Sequence, residues 1–158
     1  MSEDKGVTLV IFSGEMDKVM AGFNIAVGAA AMGKETTMFF TFWGMKAIQK
    51  GTLTGQSFFG RMMGLMNRGG ITRIGPSRFN FGGVGRWMFK TMMNDHHITP
   101  LEELRQTAID LGVKLIPCQM SMDVMEIKRE HLIDEVEETA GVATMLEAGD
   151  HSRTTLFI

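Results

Sequence analysis

Two continuously apolar runs, Val7-Thr8-Leu9-Val10-Ile11-Phe12 and Thr36-Thr37-Met38-Phe39-Phe40-Thr41-Phe42, stand on either side of one long helical stretch. No other feature restricts the fold as much. Neither run alternates apolar with polar residues as a half-solvated strand does, and both read as strands covered on two faces, the habit of parallel sheets. Between them Ser13-Gly14-Glu15 makes a tight turn, and from Met16 to Met32 the Ala, Val, Met and Phe residues recur at helical spacing until Gly33 offers a stop. Strand, helix and strand in that order form a right-handed βαβ unit. The helix is so apolar that packing on two sides is expected.

The same rhythm returns near residue 98. Thr99 as N-cap and Pro100 at the first helical position open a helix that runs to Gly112. Val113 to Ile116 then read as a short buried strand, and Pro117, which cannot extend a central ladder, ends it at Cys118. Ser121 is expected to cap a helix over 122–129, with Asp123 in its first turn. Leu132 to Val136 has the composition of a further short strand, 141–148 of a helix, and Thr154 to Ile158 of a final strand. The pattern predicts an α/β fold with one domain over 1–158: an open, mostly parallel five-stranded sheet with helices on both faces, doubly wound in the flavodoxin-like way. In that order the first and third strands flank the switch point where ligands bind, so Ser13-Gly14-Glu15 and Cys118-Gln119-Met120 are expected to share a crevice.

Residues 51–98 interrupt this rhythm as an inserted excursion. Ten glycines between Gly51 and Gly85 exclude a uniform helix, but 58–66 and 84–93 read as two short amphipathic helices in which cations mix with Met and aromatics. Over 51–94 there are six cations and no carboxylate, so a chain of net charge -2 carries +6 here and -8 elsewhere. The excursion suits an acidic protein partner, an anionic membrane surface or a neighbouring subunit; nucleic acid is not an expected partner. An apolar first helix, an apolar last strand and this Met/Phe/Trp surface together predict a homo-oligomer.

Cys118 is the one cysteine, so no intrachain disulfide is possible and a reducing compartment fits. Nothing at the N-terminus reads as a signal peptide, and a cytoplasmic location is expected. A thiol placed just before free helical amides is favoured as thiolate, the condition for a reactive cysteine; the competing reading is a small, inert, buried residue in a binding or interaction module. Other chemistry finds little support. Asp95-His96-His97 lacks metal-site spacing, Gly14, Gly28 and Gly33 do not form a dinucleotide fingerprint, and no phosphate-binding GxxxxGK[ST] follows a strand. Neither a metal nor a cofactor is expected.

The run Cys118-Gln119-Met120-Ser121-Met122-Asp123 at a strand end resembles the DsrE/DsrF-like family of sulfur-relay proteins. So do Phe12-Ser13-Gly14-Glu15-Met16-Asp17-Lys18, Phe39-Phe40-Thr41-Phe42-Trp43-Gly44 and Gly141-Val142-Ala143-Thr144. The resemblance implies a sulfurtransferase-like carrier that holds sulfane sulfur, as persulfide or thiosulfonate, on Cys118. It implies sulfur donor and acceptor proteins as partners, and Ser13, Gly14, Glu15, Trp43, Gly44, Gln119 and Met120 around the substrate.

Overall fold

The computed structural model describes residues 6–158. Among these residues four parallel strands form one sheet: β1 (Gly6–Ile11), β2 (Thr36–Phe40), β3 (Lys114–Pro117) and β4 (Ser152–Phe157), in the order β3-β2-β1-β4. The helices are α1 (Met16–Ala31), α2 (Phe58–Met66), α3 (Val84–Asp95), α4 (Leu101–Asp110), α5 (Gln119–Val124) and α6 (Val142–Asp150). A 3₁₀ stretch, Phe42–Ile48, follows β2.

Leu9 and Ile11 of β1, Met38 and Phe40 of β2 and Leu115 of β3 point to one face, where α1 and α4 pack. Fully burying a side chain such as Phe23 or Phe40 stabilises by about 1.5–3 kcal/mol, and this face holds most of them. The expected two-sided packing of α1 is met by the sheet and α4, while Asp17, Lys18, Ala21 and Asn24 face solvent. Val10, Phe39, Ile116 and Cys118 form a smaller cluster on the opposite face, with Ala140 and Met145 packed against it. Helices therefore cover both faces, but unequally. Among the described residues no helix is long and apolar enough to cross a membrane.

Three expectations are corrected. The sheet has four strands, not five: residues 132–136 form no strand, because Arg129 donates to the carbonyls of Ile133 (2.8 Å), Asp134 (3.0 Å) and Val136 (3.3 Å) and curls the segment around its guanidinium. Leu132, Ile133 and Val136 are nonetheless buried, so the apolar pattern is satisfied without a ladder. The strand order is not flavodoxin-like either. β2 lies between β1 and β3, and the direction of strand addition reverses between β1 and β4. Third, the helix after Cys118 starts at Gln119 rather than 122.

The excursion contains α2 over the expected 58–66, and α3 begins at the expected Val84. Two carboxylates of the domain hold it. Asp17 of α1 accepts from the N–H and the hydroxyl of Ser77, each at 2.8 Å, and Glu126 accepts from Gln56 N–H and from both donors of Ser57, the N-cap of α2. The Ser57 and Gln56 bonds hold the Glu126 carboxyl below its usual range. At Asp17 burial pushes upward, but the Ser77 bonds prevail and the pKa is lowered.

Candidate functional site

The β3 ladder continues one residue past its last strand position, Cys118 N–H donating to Phe40 C=O at 2.9 Å. Cys118 is then the N-cap of α5, at φ -78° and ψ 120°, and its carbonyl accepts from Met122 N–H at 3.1 Å. Its side chain makes no capping bond and is 5% exposed, lying among Val10, Phe39 and Ile116. Ser121, expected as the cap, is fully buried inside α5. Its hydroxyl bonds Thr41 Oγ1 at 2.8 Å and accepts from Phe42 N–H at 2.9 Å, which ties α5 to the end of β2.

The outer edge of β3 is not open. The segment 137–140 runs beside it, through Glu137 N–H to Leu115 C=O (2.9 Å), Ala140 N–H to Pro117 C=O (3.0 Å) and Gln119 N–H to Ala140 C=O (3.0 Å). Thr139 Oγ1 donates to Gln119 Oε1 at 2.7 Å, and Gln119 Nε2 to Asp123 Oδ1 at 2.8 Å. Gln119 thus fastens this segment next to the thiol, while Met120 is 54% exposed.

Ser13, Gly14, Glu15 and Trp43 come together elsewhere, because β1 and β2 are neighbours and their exit loops meet. They line a cavity of about 320 Å³ with Lys46 and Asn67. Glycine is required twice here. A Cβ on Gly44 would lie 2.0 Å from Ile11 O, and one on Gly14 would lie 2.5 Å from Trp43 O. The expected residues thus fall into two groups, Cys118-Gln119-Met120 at the β3 edge and the β1–β2 cavity, joined through Ser121, Thr41 and Phe42. The crevice expected between β1 and β3 is absent because β2 occupies that place.

Lys46 escaped the sequence reading. It is half-buried, and burial lowers the pKa of its ammonium. The available signal was a lysine set inside the otherwise uncharged run Phe42–Ile48 that follows a buried strand. Asp95-His96-His97 lies at the exposed end of α3, and among the described residues no three His, Cys, Asp or Glu side chains gather as a metal site would require. The arrangement offers one nucleophile, Cys118, beside a segment that few hydrogen bonds hold.

Known proteins resemble the chain over nearly its whole length. The chain is 30% identical over 161 residues to the sulfur carrier protein DsrE2 of Allochromatium vinosum, covering 99% of each. It is 39% identical over 158 residues to the uncharacterized protein YrkE of Bacillus subtilis, covering 99% of this chain and 98% of that one. The crystal structure of the YchN protein of E. coli superposes with a TM-score of 0.60 over 98% of this chain and 99% of that one at 10% identity, a likeness of fold. With residues 3–157 matching its pattern, the chain belongs to the DsrE/DsrF/DrsH-like family.

Proposed function

We propose that the chain is a sulfur carrier in which Cys118 accepts sulfane sulfur, holds it as a persulfide or thiosulfonate, and passes it to a thiol of a partner protein. The observation that carries this reading is the place of the one thiol, at the carboxyl end of β3 and the first turn of α5, with no capping bond from its side chain. Family membership and 30% identity to a sulfur carrier protein support it. In loading, the Cys118 thiolate attacks the outer sulfur of a donor persulfide, or a sulfane sulfur of a polythionate; that S–S bond breaks, a new one forms on Cys118 as persulfide or thiosulfonate, and the donor leaves as a thiolate or as thiosulfate. Delivery repeats the exchange with an acceptor thiolate, and no net electrons move. The acceptor belongs to another molecule, since the chain has no second cysteine.

Burial of Cys118 among Val10, Phe39 and Ile116 favours one rival, an inert thiol in a non-catalytic binding module. On the carrier reading the segment 137–140 lifts from β3 to admit donor and acceptor. Intact-mass spectrometry after incubation with inorganic polysulfide separates the two. The carrier gains sulfur on Cys118, and Cys118→Ser gains none. An unchanged mass with every sulfane donor tried, together with alkylation of the native thiol as slow as that of a core cysteine, would establish the binding module.

The same proposal includes a homo-oligomer. Val142 and Leu146 of α6 and Phe157 of β4 are all exposed, at 62%, 58% and 71%. Light scattering should give at least a dimer at micromolar concentration, and a clean monomer would remove this part.

A further inference from the structure

Lys46, Arg68, Arg73 and Arg86 line one cavity of about 500 Å³ together with Thr72 and Asn80. The cations arrive from separate elements: Lys46 from the 3₁₀ stretch after β2, Arg68 from just beyond α2, Arg73 from the Ile71–Arg73 turn, and Arg86 from the first turns of α3. Among the described residues no carboxylate lines the cavity. The Lys and Arg ion pairs among the described residues all lie elsewhere, at Lys18–Glu15, Lys50–Asp134, Lys90–Glu102 and Lys114–Glu35. Four like charges in one concavity repel one another, and a structure that brings them there from four elements gains most when an anion fills it.

The donors are also partly prearranged. Arg68 Nε donates to Gly51 C=O at 2.9 Å and Arg86 Nη1 to Arg73 C=O at 2.8 Å. Each guanidinium is thus fixed by one nitrogen and keeps the rest of its fork free, the disposition suited to planar, bidentate contact with oxyanions. Among the described residues Arg73 and Lys46 have no side-chain hydrogen bond or ion pair through their nitrogens. Lys46 also lines the adjoining β1–β2 cavity, where the buried Nδ2 of Asn67 finds no acceptor among the described residues. An anionic oxygen near Lys46 would offset the loss of hydration of its half-buried ammonium and could supply the acceptor Asn67 lacks.

We infer that this basin binds a small, multiply charged oxyanion, with Arg73 and Arg86 as principal ligands and Lys46 at its inner wall. The shared chemistry is a cluster of anionic oxygens, which phosphoryl and oxosulfur compounds both present. The inference stands apart from the sulfur-carrier reading, because binding requires no thiol and is expected unchanged in Cys118→Ser.

Titration calorimetry of the full chain at constant ionic strength tests it, with sodium pyrophosphate and sodium thiosulfate as probes and sodium chloride as control. Saturable binding of either probe is expected, with a rise in thermal midpoint that chloride does not reproduce. The stronger probe tells a phosphoryl source from an oxosulfur one. Arg73→Gln should weaken binding about tenfold or more, as loss of a charge-assisted bond does. Arg73→Lys should retain part of the affinity, and Lys46→Met, which keeps the apolar stem, should weaken it while leaving far-UV circular dichroism unchanged. Absence of saturable binding by both probes, or affinity indifferent to Arg73→Gln and Lys46→Met, overturns the inference.

Discussion

The sheet with α1 and α4, and the excursion over 51–98, are built on opposite principles. In the first, apolar side chains are spent inward: Leu9, Ile11, Val19, Phe23, Met38, Phe40 and Leu115 have no exposed surface. In the second, Ile71, Ile74 and Met93 reach the core, while Phe58, Phe59, Trp87, Phe79 and Phe81 are each more than two-thirds exposed. The excursion is fastened by these few apolar contacts and by polar ties, the Ser57 and Ser77 bonds to Glu126 and Asp17. Apolar burial and apolar exposure are thereby separated within one domain. The inner half sets the fold, and exposed positions of the outer half can change at little cost to it.

The sharpest way to break this comparison is a pair of large-to-small substitutions. Phe40→Ala should cost about 3–5 kcal/mol in chemical denaturation, the usual range for a buried Phe. Trp87→Ala, at an exposed site, should stay within about 0.5 kcal/mol. Comparable losses at the two sites would mean that the excursion is part of the folding core. Next in size, Ser57→Ala removes the α2 cap and should cost about 1 kcal/mol. Hydrogen exchange should register that loss in α2 and leave the strands protected.

Acidification probes the same ties without mutation. Asp17 and Glu126 have folded pKa values depressed from 3.8 and 4.5, so their contribution is present above those unfolded values and is lost as pH falls through the lower folded ones. Exchange in 56–66 and around Ser77 should therefore accelerate below about pH 4 before the sheet amides respond. Simultaneous loosening of sheet and excursion would contradict separate fastening. The smallest effect concerns partners. If the excursion docks an acidic protein, as its charge favours, Trp87→Ala with Phe89→Ala should speed dissociation while leaving sulfur loading of Cys118 intact. Binding that weakens with salt is expected, and retention on anionic but not neutral vesicles would assign the surface to a membrane instead.

Elements governed by local chemistry were legible in the sequence. β1, α1 and β2 lie where apolar periodicity and Gly33 put them, α2 spans the expected 58–66, and Cys118 stands at the strand-to-helix turn that Pro117 signals. What depended on distant partners was not. Strand order follows from which helices share a face, and α1 against α4 leaves no trace in either helix alone. Ser121 looks like a cap by residue type, yet its hydroxyl serves Thr41 and Phe42, some eighty positions earlier. Leu132 to Val136 has strand composition, but a guanidinium from outside the window bends it. The split of the expected site into a cysteine group and a β1–β2 cavity has the same origin, since a strand inserted between two others is invisible in the sequence of any of them.

The two rims of the sheet differ in a way that bears on growth. At β3 the lateral donors and acceptors are occupied by the chain's own segment 137–140, whereas β4, mostly exposed, has no described strand along its far side. A sheet open on one rim can be lengthened only once. Any copy that joined there would do so by the same rim, each presenting β4 to the other, and the joined pair would offer no further free rim. The fold thus carries a built-in stop against open-ended fibre formation, and its weak point is the handful of main-chain bonds that keep 137–140 in place.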